Sequence, residues 1–520
     1  MSPQRRTSRQ TLKPPAGGVA VRMYRQGLGD CFLLALATAD ARRPTYVLID
    51  CGVHRAQSNG RDNMRLAIAD IIAATGGRLD VVIATHEHTD HLSGFVTAAE
   101  EIAAGRLKIE RLWLAWTEDD EDALAKQLRR QERSALRALA SIRQHLAARP
   151  AAAGDARPNR AVQSLAARLD DTLDLAGGLG ADRAAALTGN QQALKLLREH
   201  AGRIEFLRPG NAAVDVPRAA GARAYVLGPP RDAALLKKSK PSSGSRQETY
   251  LTDSLGLSSL SAAALALDRE DGESTPQSLD AAAQEEQCHP FSQIYRLSYD
   301  QAAGNSFFRR HYGLGDSEHA DAWRQIEHEW LFAAEQLALD LDHHTNNTSL
   351  AVALEVGPPG SGRVLLFPGD AQVGNWLSWR DLRWGTAADG FTTASLLART
   401  ALYKVGHHAS HNATLKFDAD GQPYGLELMP QNLIALIPVD KTIADKLPGW
   451  VMPDPELYVA LKGKAGKRIL RSDDLDPELA QPTTRMKAVP GVAGARWRRS
   501  AATKTEDAGP LYYDVFLDAR

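Results

Sequence analysis

The densest chemistry in the chain is the run Thr85-His86-Glu87-His88-Thr89-Asp90-His91. His86, His88, Asp90 and His91 are four metal-ligand types within six positions. Two imidazoles spaced by one residue reach one cation from the same side of a loop. An Asp and a His directly after them can turn to a second cation, and donors packed this tightly suit two ions ~3.5–4 Å apart. Such a pair lowers the pKa of a shared water toward ~7 and neutralises charge that builds on substrate oxygens. The chemistry that such a pair would support is hydrolysis without a covalent enzyme intermediate. Mixed His and carboxylate ligation suits zinc best, as two Zn2+ ions, with Mn2+ or Fe tolerated. The competing reading is a surface loop that happens to be rich in His; its place directly after a buried strand argues against that.

Such a loop needs a strand that delivers it. Residues 81–84 are fully apolar and run through Thr85 into His86. Before them, 19–24, 31–36 and 45–49 read as short strands separated by glycine-rich or charged turns, the third ending at Asp50. Residues 64–74 carry Leu66, Ile68, Ile71 and Ile72 at helical spacing and stop at Gly76-Gly77. Residues 111–116 read as one more buried strand. Strand character returns at 204–207, 222–227, 349–356, 364–367 and 401–405, and finally at 511–517.

Between these core segments the character of the chain changes twice. From Glu118 to about His200 it is rich in Ala, Leu and Arg, with Leu128, Ala135, Leu139, Ile142 and Leu146 on one helical stripe. Arg129, Arg130, Arg133 and Arg143 fall mostly off that stripe, as a solvated face or as contacts to a polyanion. A second insertion has loop-like stretches at 241–246 and 270–287. It ends in an amphipathic helix carrying Trp323, Ile326, Trp330, Ala334, Leu337 and Leu341, which either packs over its own core or docks a protein partner. The division is 1–18, a disordered N-terminus; 19–117, first half of the core; 118–202, helical insertion; 203–230, core strands; 231–344, second insertion; 345–445, second half of the core; and 446–520, C-terminal extension.

Composition narrows the classes. The 520 residues are 43% hydrophobic and 24% charged, with a net charge of −1. That balance gives no global footprint for nucleic acid or an anionic membrane surface. Cys31, Cys51 and Cys288 are an odd set without close pairing, which argues against a disulfide framework. With no apolar run long enough to span a bilayer and no secretory leader, a soluble cytoplasmic protein is expected.

The loop resembles the His-x-His-x-Asp-His signature of the metallo-β-lactamase superfamily. Three further stretches fit in order: Val47-Leu48-Ile49-Asp50, Leu365-Leu366-Phe367-Pro368-Gly369-Asp370, and Tyr403-Lys404-Val405-Gly406-His407-His408-Ala409-Ser410. The resemblance implies an α/β fold, a four-layer αββα sandwich; the two inserted, largely helical segments and the C-terminal extension lie outside it. It implies metal ligation by His86, His88, Asp90, His91, Asp370 and His407, with Asp370 shared between the ions. Asp50 would orient the metal-site histidines from behind, and Asp90 and His408 would be the catalytic residues.

Gly27-x-Gly29-Asp30, Asn346-Asn347-Thr348-Ser349-Leu350 and the His-His pair followed by Ser resemble the hydrolase domain of ComEC-type DNA-uptake channel proteins and its stand-alone relatives. That likeness implies a phosphodiesterase or nuclease; a thioester or lactone hydrolase is the alternative. It also departs at three points. No separate histidine clearly completes one metal site, His200, His343 and His344 being the candidates. Ala409 stands where that branch usually has Gly, and the channel proteins are membrane-embedded. His407 and His408 compete for one ligand position. His407 ends the strand and is assigned to metal; His408 either protonates a leaving group or is a hydrogen-bonded core histidine. Lys404 reads as an ordinary strand residue and Cys51 as a buried thiol.

Overall fold

The computed structural model describes residues 11–39, 43–148, 160–176, 188–210, 212–219, 221–239, 297, 299–312, 329–385, 390–447, 450–473, 486–500, 503–504 and 509–519. Expectations for residues 1–10, 241–246 and 270–287, and for Cys288, Trp323, Ile326 and the side chains of Leu146 and Trp330, lie outside them.

Among the described residues, ten strands form one sheet. Its order is β17 (Lys487–Ala488), β18 (Ala495–Arg499), β19 (Tyr512–Leu517), β1 (Val19–Tyr24), β2 (Cys31–Leu36), β3 (Thr45–Cys51), β5 (Val81–Ile83) and β6 (Lys108–Ala115). Both β4 (Arg78–Leu79) and β7 (Ala201–Leu207) pair with β6. The second sheet runs β16 (Ile469–Arg471), β15 (Ile434–Ile437), β14 (Thr400–Lys404), β11 (Arg363–Phe367), β10 (Val352–Val356), β9 (Ala222–Val226) and β8 (Val214–Asp215). A separate hairpin pairs β12 (Arg383–Trp384) with β13 (Phe391–Thr392).

Successive side chains of a strand point to opposite faces, and here both faces are covered. Val19, Val21 and Met23 of β1 join Phe32, Ile83, Val352, Leu365 and Leu402 in the core between the sheets. Ala20 and Tyr24 of the same strand face helices Gly60–Thr75, Thr89–Thr97 and Gly189–His200 on the outside of the first sheet. Val364 and Leu366 of β11 face helices Thr393–Ala398 and Pro455–Ala465 across the second. Burial on both faces is why these strands read as continuous apolar runs, and each Leu or Phe so buried contributes about 1.5–3 kcal/mol. The result is the expected αββα sandwich.

Helix Gly60–Thr75 begins four residues earlier than its apolar spacing implied and stops where expected, at Gly76 with φ 66°. Its buried stripe is Met64, Ala67, Ile68, Ile71 and Ala74, while Leu66 is exposed. The tail read as a C-terminal extension supplies strands to both sheets: β16 to the second, β17 to β19 to the first.

The chain divides into two compact units: 1–128 with 174–251 and 342–520, and 129–173 with 252–341. In the second unit, Ala135, Leu139 and Ile142 of helix Ala123–Ala148 are buried, as are Leu165 and Leu169 of helix Arg160–Leu175. Arg143 grips Asp170 through two hydrogen bonds of 2.7 and 3.0 Å. Ala334, Leu337 and Leu341 of helix Glu329–Asn347 are also buried. Among the described residues no helix is long and apolar enough to cross a membrane.

Candidate metal centre

The His-rich run is an interior feature. His86, His88, Asp90 and His91 are each 5% exposed or less. His88 caps helix Thr89–Thr97, whose first turn carries Asp90 and His91. Two glycines let neighbouring chain lie against that turn. A Cβ on Gly29, whose φ is 140°, would meet the Asp90 carbonyl at 2.6 Å, and one on Gly52 would meet it at 2.4 Å. With both positions bare, the Asp30 N–H donates to the Asp90 carbonyl at 2.9 Å, and the Gly52 N–H to the Asp30 carbonyl at 2.9 Å.

Asp50 reaches the loop through a break in strand register. Cys31 faces Cys51 and Phe32 faces Ile49, so Asp50 is the extra residue of a bulge, with φ 52°. Bulges re-aim single side chains, and this one turns the carboxylate onto the loop. Its oxygens accept from Thr85 N at 2.8 Å and Thr85 Oγ1 at 2.7 Å, and Oδ2 lies 2.8 Å from His91 Nδ1. That bond directs His91 Nε2 toward Asp370 Oδ2, 3.1 Å away.

Asp370 arrives from the other sheet, just beyond β11. Ser349 Oγ accepts its backbone N–H at 3.0 Å. Asn347 Oδ1 accepts Gln372 N at 3.1 Å and Asn375 N at 3.3 Å, bracing the turn that follows. The Asn-Asn-Thr-Ser segment thus holds the loop that carries Asp370.

The two adjacent histidines part company. His408 Nδ1 lies 2.7 Å from the Pro438 carbonyl, and its Nε2 is 2.8 Å from Asp90 Oδ2 and 3.5 Å from Asp370 Oδ2. His407 sits instead among neutral groups: Ser410 Oγ at 2.6 Å, Asn412 Oδ1 at 3.2 Å and Gln372 Nε2 at 3.4 Å from its Nδ1, and Asn346 Nδ2 at 3.4 Å from its Nε2. His408 therefore stands among the carboxylates, where sequence reasoning had put His407. The local backbone is the reason: His407, His408 and Ala409 have φ of 41°, 49° and 65°, a left-handed turn that swings consecutive side chains apart.

One donor atom each from Asp30, His91, Asp370 and His408 lies within 4.8 Å of the others. His86 Nε2 and His88 Nδ1 lie 3.2 Å apart, and the His86 ring centroid is 4.2 Å from that of His91. His200, His343 and His344 are not members of that cluster. His200 is exposed and its Nδ1 lies 3.0 Å from the Leu196 carbonyl. The residue of helix Glu329–Asn347 that approaches His88 is Asp342, 3.7 Å from Nε2.

Electrostatics divide the histidines into two kinds. Burial pushes His86 well below its usual range and His88 down to about 4, aided by the neighbouring imidazoles, so both rings are held neutral. Burial also opposes charge on His91 and His408, but the surrounding carboxylates, Asp370 foremost, outweigh it and raise both. Burial would raise the Asp370 carboxyl; Lys404, His91 and His408 instead hold it well below the usual carboxylate range.

The donors fit a divalent metal on a further count: Asp90 Oδ1 is buried with no hydrogen-bond partner among the described residues. Two residues of this network were not singled out from sequence. Asp30 was seen only as the end of a glycine motif, and Lys404 is a buried cation 2.6 Å from it. A lysine inside an otherwise apolar strand was the available signal, because lysine is almost never buried unpaired.

No curated protein matches the chain. A family model described as the Metallo-beta-lactamase superfamily matches residues 36–171, a span that holds Asp50 and the whole His86–His91 run and leaves Asp370 and His408 beyond it. The match to a metallo-β-lactamase superfamily domain is thus confined to residues 36–171, and the sandwich brings the distant Asp370 and His408 to that matched run.

Proposed function

We propose that the protein is a metal-dependent hydrolase acting on phosphodiesters. The carrying observation is the buried cluster of Asp30, His91, Asp370 and His408, with Asp90 2.8 Å from His408 and the His86 and His88 rings beside it, 3.2 Å apart at their nearest nitrogens. On this reading Asp90, His91, Asp370 and His408 hold one divalent cation, and His86, His88 and a shared Asp370 hold another. Zinc suits these donors best. When bound, the cations acidify a water and polarise the scissile group. The chain itself supplies the orientation. Asp50 and the Pro438 carbonyl each engage one nitrogen of a ligand histidine, which fixes its ring and tautomer. His407, anchored by Ser410 and Asn412, faces the substrate.

The phosphodiester preference rests on the ComEC-like segments, each of which has work at this centre: Asp30 and Gly29 against the Asp90 turn, Ser349 on Asp370, and the paired histidines. The test is a substrate panel run beside zinc analysis of the same preparation. Bis-p-nitrophenyl phosphate should be cleaved, DNA or RNA better than a β-lactam or thioester, and chelation should abolish both activities. Turnover of thioesters or lactones with no diester cleavage under any divalent metal would reject the substrate class.

A further inference from the structure

Lys404 ends β14 with its side chain 1% exposed. An ammonium has three donors, and this one has three acceptors: Asp30 Oδ2 at 2.6 Å, the Gly369 carbonyl at 2.9 Å and Asp370 Oδ1 at 3.0 Å. The two oxygens of Asp370 therefore differ. Oδ1 takes Lys404 and also the His407 backbone N–H at 3.0 Å. Oδ2 alone looks toward His91 and His408.

A carboxylate free on both sides can rotate and chelate one ion with both oxygens. One whose Oδ1 is held by a fixed ammonium and a fixed amide cannot. Asp30 lies close enough to the cluster to be mistaken for a ligand, yet its nearer contact is the lysine: Oδ2 is 2.6 Å from Nζ and 3.8 Å from His91 Nδ1. Its backbone meanwhile is tied to Asp90.

We infer that Lys404, clamped by Asp30, is a positioning residue that occupies one oxygen of Asp370 and commits the other to the metals, and that Asp30 acts through the lysine and is not itself a ligand. This rests on the metal-centre reading above. Its consequence is a defined coupling: Asp30 matters to metal binding only while Lys404 is present.

The experiment is a double-mutant cycle on the full chain with Lys404→Met, Asp30→Asn and the pair combined. It reads zinc affinity by chelator competition, the visible absorption of the cobalt-substituted protein, and the urea midpoint. Loss of a partner behind a ligand typically costs about 10- to 100-fold in metal affinity. Lys404→Met should weaken zinc by that factor and change the cobalt spectrum as Asp370 Oδ1 loses the ammonium and keeps only the His407 N–H. The double variant should match Lys404→Met in zinc affinity while recovering its urea midpoint, because no buried carboxylate is left unpaired. It also keeps the test open should the single variant unfold.

Wild-type affinity and an unchanged cobalt spectrum in Lys404→Met and the double variant would overturn the inference. So would a double variant at least tenfold weaker than Lys404→Met, which would make Asp30 a ligand. Failure of the wild-type protein to take up metal would instead strike the metal-centre reading, and the inference with it.

Discussion

His407 and His408 share a peptide bond and almost nothing else. One is ringed by neutral amides and a hydroxyl; the other points at two carboxylates. A metal ligand needs its remote nitrogen pinned and its near nitrogen among anions, and His408 has both. His408→Ala is therefore expected to lower zinc content by about one ion per chain. His407→Ala is expected to keep its zinc and lose roughly 100-fold or more in turnover, the usual scale for a positioned imidazole at the reacting group. Zinc content and rate on the same two preparations decide it; the reverse pattern would return His407 to the metal. The choice was not legible in the sequence, because residue order does not disclose a left-handed turn. The His86–His91 run was legible because its donor types are dense enough to stand out with no geometry at all. Lys404 was misread for the opposite reason: one charge in an apolar strand carries no label until Asp30 and Asp370 are seen on either side of it.

Among the described elements, the turn from His407 to Ala409 places three consecutive non-glycine residues at positive φ. An L-residue in the left-handed region is disfavoured by roughly 1–2 kcal/mol, and Ala409 at φ 65° lacks the freedom of glycine. Ala409→Gly also loosens the unfolded chain by about 0.4–1 kcal/mol, so the net gain expected in unfolding free energy from urea titration is between about 0 and 1.6 kcal/mol, with zinc content unchanged. A lower midpoint would mean the methyl contributes packing that outweighs the strain. Elements buried on both faces were mostly readable from the local pattern: β1 to β3, β5, β11 and β14 lie within two residues of the expected segments, and β10 starts three residues later than expected, at Val352. β18 was not. It reads Ala-Arg-Trp-Arg-Arg and becomes a strand because its arginines find carboxylates across β19 and just after it: Arg498 donates to Asp514 at 2.8 Å and Arg496 to Asp518 at 2.9 Å. Cross-strand pairing of that kind depends on a partner in a distant segment, so no local pattern announces it.

For the whole molecule, the decisive join is between the first strand and the last. β19 lies between β1 and β18, with Val19 opposite Leu517 and Arg22 opposite Asp514. Asp514 is fully buried and takes two hydrogen bonds from Arg22, at 2.7 and 3.0 Å. Breaking a buried pair by removing one member costs about 3–5 kcal/mol. Asp514→Ala should approach that loss in urea unfolding, moderated by Asp70, which remains 2.5 Å from Arg22. A loss below 1 kcal/mol would show that Asp70 suffices. The same join sets a clock on biosynthesis. Arg22 and Asp514 are 492 residues apart, and at ~5–20 residues per second a ribosome takes about 25–100 s to supply the second after the first. Throughout that interval β1 offers one edge with no partner, the kind of edge that pairs with other chains. Nascent chains that stop short of β19 should therefore be protease-sensitive even with every proposed metal ligand already translated, and chains that include it should be resistant.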